Sequence, residues 1–127
     1  MSRTKTILLA GILTTSSAVQ GATGVPLFQQ FAGCAGRMSA EMEHAWLIND
    51  PQADTYKTQR LTFLSLLDAT MPAGQERDVL AARIDAKMAH AALLTAATFG
   101  TAPDRAARAR KRATWHVSMC RDMLLDS

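Results

Sequence analysis

The chain has 127 residues, 48% of them hydrophobic and 20% charged, which suffices for one globular domain and is too apolar for a disordered chain. The formal charge of +3 overstates its basic character. Arg3 and Lys5 lie in a leader segment, residues 1–24 contain no acid, and without that segment 12 basic residues face 11 acidic ones, a net +1. So small an excess gives no general attraction to nucleic acid.

Arg3 and Lys5 precede an apolar run, residues 6–13, of signal-peptide length and well short of the ~20 residues that span a bilayer. Small and polar residues follow from Thr14 to Gly24, and cleavage after Ala18, Gly21 or Gly24 suits a peptidase that requires small residues. Residues 1–24 are therefore predicted to be a secretory signal peptide cut between 18 and 24, with 25–127 forming one helical domain in the periplasm or outside the cell. The competing reading is an N-terminal membrane anchor. Phe31-Ala32-Gly33-Cys34 resembles a lipoprotein processing box, but it stands far downstream of the apolar run, past Gln20, Pro26, Gln29 and Gln30.

Beyond the leader, apolar residues recur at spacings of three and four, the helical period. A first helix over 26–48 puts Leu27, Phe31, Cys34, Ala35, Met38, Met42 and Ala45 on one stripe, with Phe28 and Trp46 at its edge. Gly33 and Gly36 fall on the other side, and each weakens the helix by about 1 kcal/mol against Ala. Asn49-Asp50-Pro51 ends it, with Asp50 capping a second helix over 51–70. That helix turns Tyr56, Phe63, Leu64 and Leu67 inward, and Arg60 snorkels along the edge of the same face.

After the turn Met71-Pro72-Ala73-Gly74, a third helix over 75–98 carries two apolar lines. One is Leu80, Ile84, Met88, Ala91 and Thr95; the other is Ala82, Ala86, Ala89, Leu93 and Ala97. Gly100 ends it. Thr101-Ala102-Pro103-Asp104 has the form of a capping box for a fourth helix reaching Leu125. Ala106, Ala109, Ala113, His116, Val117, Cys120, Met123 and Leu124 form its inner face, and the Ala-rich seams of helices three and four predict close approach. The fold class expected is all-α, an antiparallel up-down-up-down four-helix bundle.

Two cysteines in an exported chain predict one disulfide. Cys34 lies early in helix one and Cys120 late in helix four, ends that an antiparallel bundle places side by side. With the two level, Met38 is expected opposite His116, and Glu41 within reach of Arg112 or His116. A redox role is not indicated, since Cys-x-x-Cys is absent.

Four site readings follow. Arg105, Arg108, Arg110, Lys111 and Arg112 are five cations in eight residues. Arg108, Lys111 and Arg112 share an outer face with Trp115, which suits an acidic partner's pocket or an anionic membrane interface. Met38, Met42, His116, Met119 and Met123 offer soft ligands for Cu(I), or else fill gaps in a core. Met38 and His116 resemble the axial pair of b-type four-helix cytochromes in architecture alone, with no matching stretch of sequence. Finally, His44 and His90 fall on outward faces near Arg37, Arg83 and Lys87, where solvation is expected, and neither His-Glu-x-x-His nor Gly-x-Ser-x-Gly occurs. The expectation is a non-enzymatic exported protein acting through surface contacts, as an accessory or adaptor subunit, a chaperone-like protein or an envelope-stress factor. A protein partner or an anionic membrane surface is expected, with no cofactor, nucleic acid or identified small-molecule substrate. The alternative is a periplasmic copper- or haem-binding bundle.

Overall fold

A computed structural model describes residues 24–126. The leader reading and its cleavage between 18 and 24 fall outside the described residues, Gly24 excepted. The described residues form four helices: α1 (Leu27–Leu47), α2 (Ala53–Thr70), α3 (Glu76–Phe99) and α4 (Pro103–Leu125). The described residues are all-α, and none of their helices is long and apolar enough to cross a membrane.

Asn49 ends α1 at φ 55°, the left-handed conformation that Asn tolerates best after Gly. Its N–H donates to the Trp46 carbonyl (3.4 Å), and the next N–H, that of Asp50, donates to the Ala45 carbonyl (2.8 Å), as in a Schellman ending. Asp50 accepts the Gln52 N–H at Oδ1 (2.9 Å) in the turn before α2, but the cap expected of it does not form, since α2 starts at Ala53 with Gln52 as cap residue and no side-chain cap bond. The capping box expected at Thr101 does not form. Ala102 is the cap residue, with no side-chain cap bond, because Pro103 takes the first helical position that its fixed φ favours and leaves Thr101 one residue too early.

Helix α1 is buried around most of its circumference rather than along one stripe. Ala32, Ala35, Gly36, Ser39, Ala40 and Ala45 are all buried beside Phe31, Cys34, Met38 and Met42. Small side chains on several sides let three neighbours approach at once, and α1 packs against α2, α3 and α4. Helices α3 and α4 also pack on each other, while α2 comes within 8 Å, Cα to Cα, of α1 alone. The main core joins Phe31, Cys34 and Met38 of α1 to Phe63 and Leu67 of α2, Val79 of α3, and Val117 and Cys120 of α4. Each large side chain buried this way contributes about 1.5–3 kcal/mol. A second, smaller cluster sets Ala40 against Leu94 and Ala113.

Gly36 fixes how α3 sits. A Cβ there would stand 3.1 Å from the Lys87 nitrogen and closer still to the Arg83 carbonyl oxygen, so the backbones of α1 and α3 touch at this point. The helix is continuous through both glycines. Of the two expected apolar lines of α3, this contact overturns the first, with Leu80, Ile84 and Met88 52%, 51% and 67% exposed; in the second Ala97 is buried and Ala82, Ala86 and Leu93 partly so, alongside buried Val79, His90 and Leu94.

Cys34 and Cys120 lie at disulfide distance, with Cα atoms 5.6 Å apart. Arg60 behaves as its position predicts, donating from Nε to Ser39 Oγ (2.9 Å) along the edge of the α1–α2 seam.

Candidate functional site

Three of the grooves between the helices differ in their lining. The groove of about 520 Å³ between α3 and α4, which Tyr56 of α2 also lines, is of mixed polarity, with Glu41, Leu94, Arg110, Arg121 and Asp122 in its walls. Arg110 Nη2 donates to the Ala97 carbonyl (2.8 Å), and the Arg121 guanidinium lies 5.6 Å from the Tyr56 ring centre, its Nε buried without a hydrogen-bond acceptor. Burial, and after it the charge of Glu41, raises the Tyr56 pKa above its ordinary value. The groove of about 260 Å³ between α1 and α3 holds Arg60, already bonded to Ser39, Lys87, paired with Glu43 at 2.6 Å, and Arg83, which has no ion-pair partner among the described residues.

The groove between α1 and α4 is different. It encloses about 470 Å³ between Val25, Gly33, Cys34 and Arg37 on one wall and Trp115, His116, Met119 and Met123 on the other, and is mainly apolar. Trp115 and Met119 are 57% and 49% exposed. Arg37 is half-buried and folds back along α1, so that its Nη1 would lie 3.2 Å from a Cβ at Gly33. That gives Gly33 a purpose, since the glycine leaves room for the guanidinium. Among the described residues no carboxylate forms an ion pair with Arg37 and no acceptor takes a hydrogen bond from it; the ion pairs are Lys87–Glu43 and His90–Glu41. Burial lowers its pKa from the ordinary arginine value.

His116 registers the field of this groove. Burial first, then the positive charges of Arg37, His90 and Arg112, hold its imidazole below the usual histidine pKa. Its ring packs edge-on to Trp115, centroids 4.9 Å apart. Farther along α4, Arg108, Lys111 and Arg112 are exposed as expected, and none has an ion-pair partner among the described residues. The two sequence readings centred on Trp115 and on His116 thus describe adjoining parts of one surface.

The five soft ligands are not gathered together. Met38 is fully buried in the core beside Cys34 and Phe63, and Met42 lines the α1–α3 groove. His116, Met119 and Met123 share the α1–α4 groove, with Met123 Sδ 4.0 Å from Cys34 Sγ. Among the described residues, no group of three or more His, Cys, Asp and Glu side chains could hold a metal ion.

Both histidines expected in solvent are engaged. His90 is 1% exposed, and its Nε2 donates to Glu41 Oε1 at 2.7 Å, so Glu41 meets α3 rather than Arg112 or His116 of α4. The Gly36 contact turns the His90 side of α3 onto α1 and produces this pairing. His44 Nε2 and Thr98 Oγ1 are hydrogen-bonded at 2.9 Å, with the Phe99 ring at 6.1 Å. Arg37 is the site residue that the sequence reading passes over. Its signal is an arginine one turn after a glycine, with neither a carboxylate nor another cation in the turn between them.

No family model, curated protein or solved structure matches the chain.

Proposed function

We propose that this chain is a small exported, non-enzymatic helical protein that works by contact, as an accessory or adaptor subunit gripping a partner protein with the α1–α4 groove and the cationic outer face of α4. One observation carries the reading: a half-buried arginine without an ion-pair partner, Arg37, lines an apolar groove beside the exposed Trp115. An uncompensated, partly desolvated cation is costly, and large aromatics and arginines are the side chains that dominate protein contacts.

The helices are proposed to alternate in direction, the antiparallel bundle expected from the sequence. Three pairings support this: Ser39 with Arg60, Ala97 with Arg110, and Cys34 with Cys120. Cysteines at disulfide distance also support an oxidising compartment, the periplasm or the exterior.

The test is an alanine double change, K111A with W115A, in protein purified from the envelope fraction. Thermal stability should hold while co-purification of the partner is lost; a collapse of stability would make the pair structural and end the reading. A copper-binding reading has one point in its favour, since His116, Met119 and Met123 line one groove. The positive field of Arg37 and Arg112 opposes a cation there. Metal analysis and a visible spectrum of the same preparation separate the two, with copper or a Soret band counting for the second.

A further inference from the structure

The contact reading leaves the chemistry of the partner open, and the groove restricts it. Its floor and walls are two helices whose amide and carbonyl groups are spent in their own ladders. An extended peptide laid there would find no backbone partners. An occupant that satisfies its own backbone, a helix, meets no such cost.

Charge has a direction along this surface. From Trp115 toward Met119, Met123 and Val25 the lining is apolar apart from Gln29 and Gln30, and the Arg37 guanidinium lies back over Gly33 on the α1 wall; from Trp115 the other way come Arg112, Lys111 and Arg108. Arg108 and Arg112 are four residues apart, hence about 6 Å along α4. Carboxylates at the same spacing on a docked helix meet them in step. A second copy of this chain is disfavoured as occupant, because an isologous contact brings together two copies of a groove whose lining holds no carboxylate for Arg37. A planar anionic membrane reaches Trp115 and the α4 cations, but Arg37 is half-buried and lies back over Gly33, out of line with a flat layer.

We infer that the α1–α4 groove receives an acidic amphipathic helix of a partner protein, its apolar side chains over Met119 and Trp115 and its carboxylates on Arg37, Arg112 and Arg108. This rests on the contact reading above and narrows it.

The chain has two tryptophans, so W46F leaves Trp115 as sole reporter. The probe is a synthetic helix of about 18 residues, long enough to hold helical structure, with leucines on one face and glutamates at i, i+4 spacing beside them. Its twin carries lysine for glutamate. The glutamate helix should shift Trp115 emission to the blue and saturate at one per molecule, while the twin leaves it unchanged. Arg37→Gln and Arg112→Gln should each weaken binding about tenfold at unchanged melting temperature, the effect of losing one charge-assisted bond. Equal response to both helices, binding indifferent to Arg37→Gln, or a response to phosphatidylglycerol vesicles alone overturns the inference. The K111A/W115A co-purification result stands or falls separately, so a failure here is distinguishable from a failure of the contact reading.

Discussion

Nε2 of His90 lies 2.7 Å from Oε1 of Glu41, and both side chains are shut away between α1 and α3. This is the most deeply buried polar pairing among the described residues, and it ties the middle of one helix to the middle of the other. Glu41→Ala should therefore lower stability by about 1–3 kcal/mol, the cost of stranding a buried donor. In a domain of this size each kcal/mol moves the melting temperature by about 4–8 °C. Replacing both partners, Glu41→Met with His90→Leu, should cost less than the two single changes added together. Strict additivity in that double-mutant cycle would show that the pair is not coupled.

The two glycines of α1 should respond in opposite senses. Gly36→Ala drives a methyl group into the Arg83 carbonyl, a backbone atom that cannot swing aside. Overpacking of this kind costs about 1–3 kcal/mol and outweighs the gain of about 1 kcal/mol from better helix propensity. At Gly33 the neighbour is the mobile end of Arg37, so Gly33→Ala should leave melting unchanged or raise it slightly while weakening partner capture. Thermal melts of the two variants, side by side, decide this; equal losses would contradict the distinction.

Cys34 and Cys120 close a separation of 86 residues. In the chain-entropy account such a crosslink is worth at most about 4–5 kcal/mol, a large share of the about 5–15 kcal/mol that holds a domain together. Unreduced, denatured protein should show no titratable thiol, and the C34A/C120A double variant should melt well below the parent. Two reactive thiols per molecule would remove the crosslink from the fold.

The pH response of His116 has a definite sign. Its pKa is lower in the fold than in the open chain, from burial first and then from Arg37, His90 and Arg112. The unfolded form therefore binds the extra proton more readily. Stability should fall as pH drops below about 6.5, the open-chain value, until the folded pKa is passed. Above about pH 7 the group should make no difference. His116→Gln should flatten that part of the pH–stability curve, and unfolding titrations between about pH 7 and 5 give the comparison. Parallel curves for parent and variant would contradict the assignment.

Helix positions were legible because apolar residues recur at three and four, and the cysteine pairing because one register brings Cys34 and Cys120 level. On α4 the predicted inner face is the observed one, with Ala109, Ala113, Val117 and Cys120 buried. The orientation of α3 was not legible. Its largest apolar residues, Leu80, Ile84 and Met88, argued for one face, but a glycine contact selects backbone rather than bulk. Gly36 meets the main chain at Arg83 and Lys87, whose long side chains leave sideways; Lys87 reaches Glu43. A face carrying Arg, Lys and His reads as solvent-exposed in one dimension and becomes the interface in three. Of the site, Trp115 and the α4 cations were legible, whereas Arg37 was not, since a cation's lack of a counter-ion is a property of the assembled helices.

Helix α2 leans on α1 and on no other backbone. Phe63 and Leu67 hold it there, while the sulfur pair and the α3–α4 seam secure the rest. The molecule is consequently a pinned trio with a detachable fourth rod. Partial opening should take place at the turns around Asn49 and Pro72, and amide protons of α2 should exchange through it sooner than those of the trio. A protease sampling the native ensemble should make its first cut in the same rod, with the trio outlasting it.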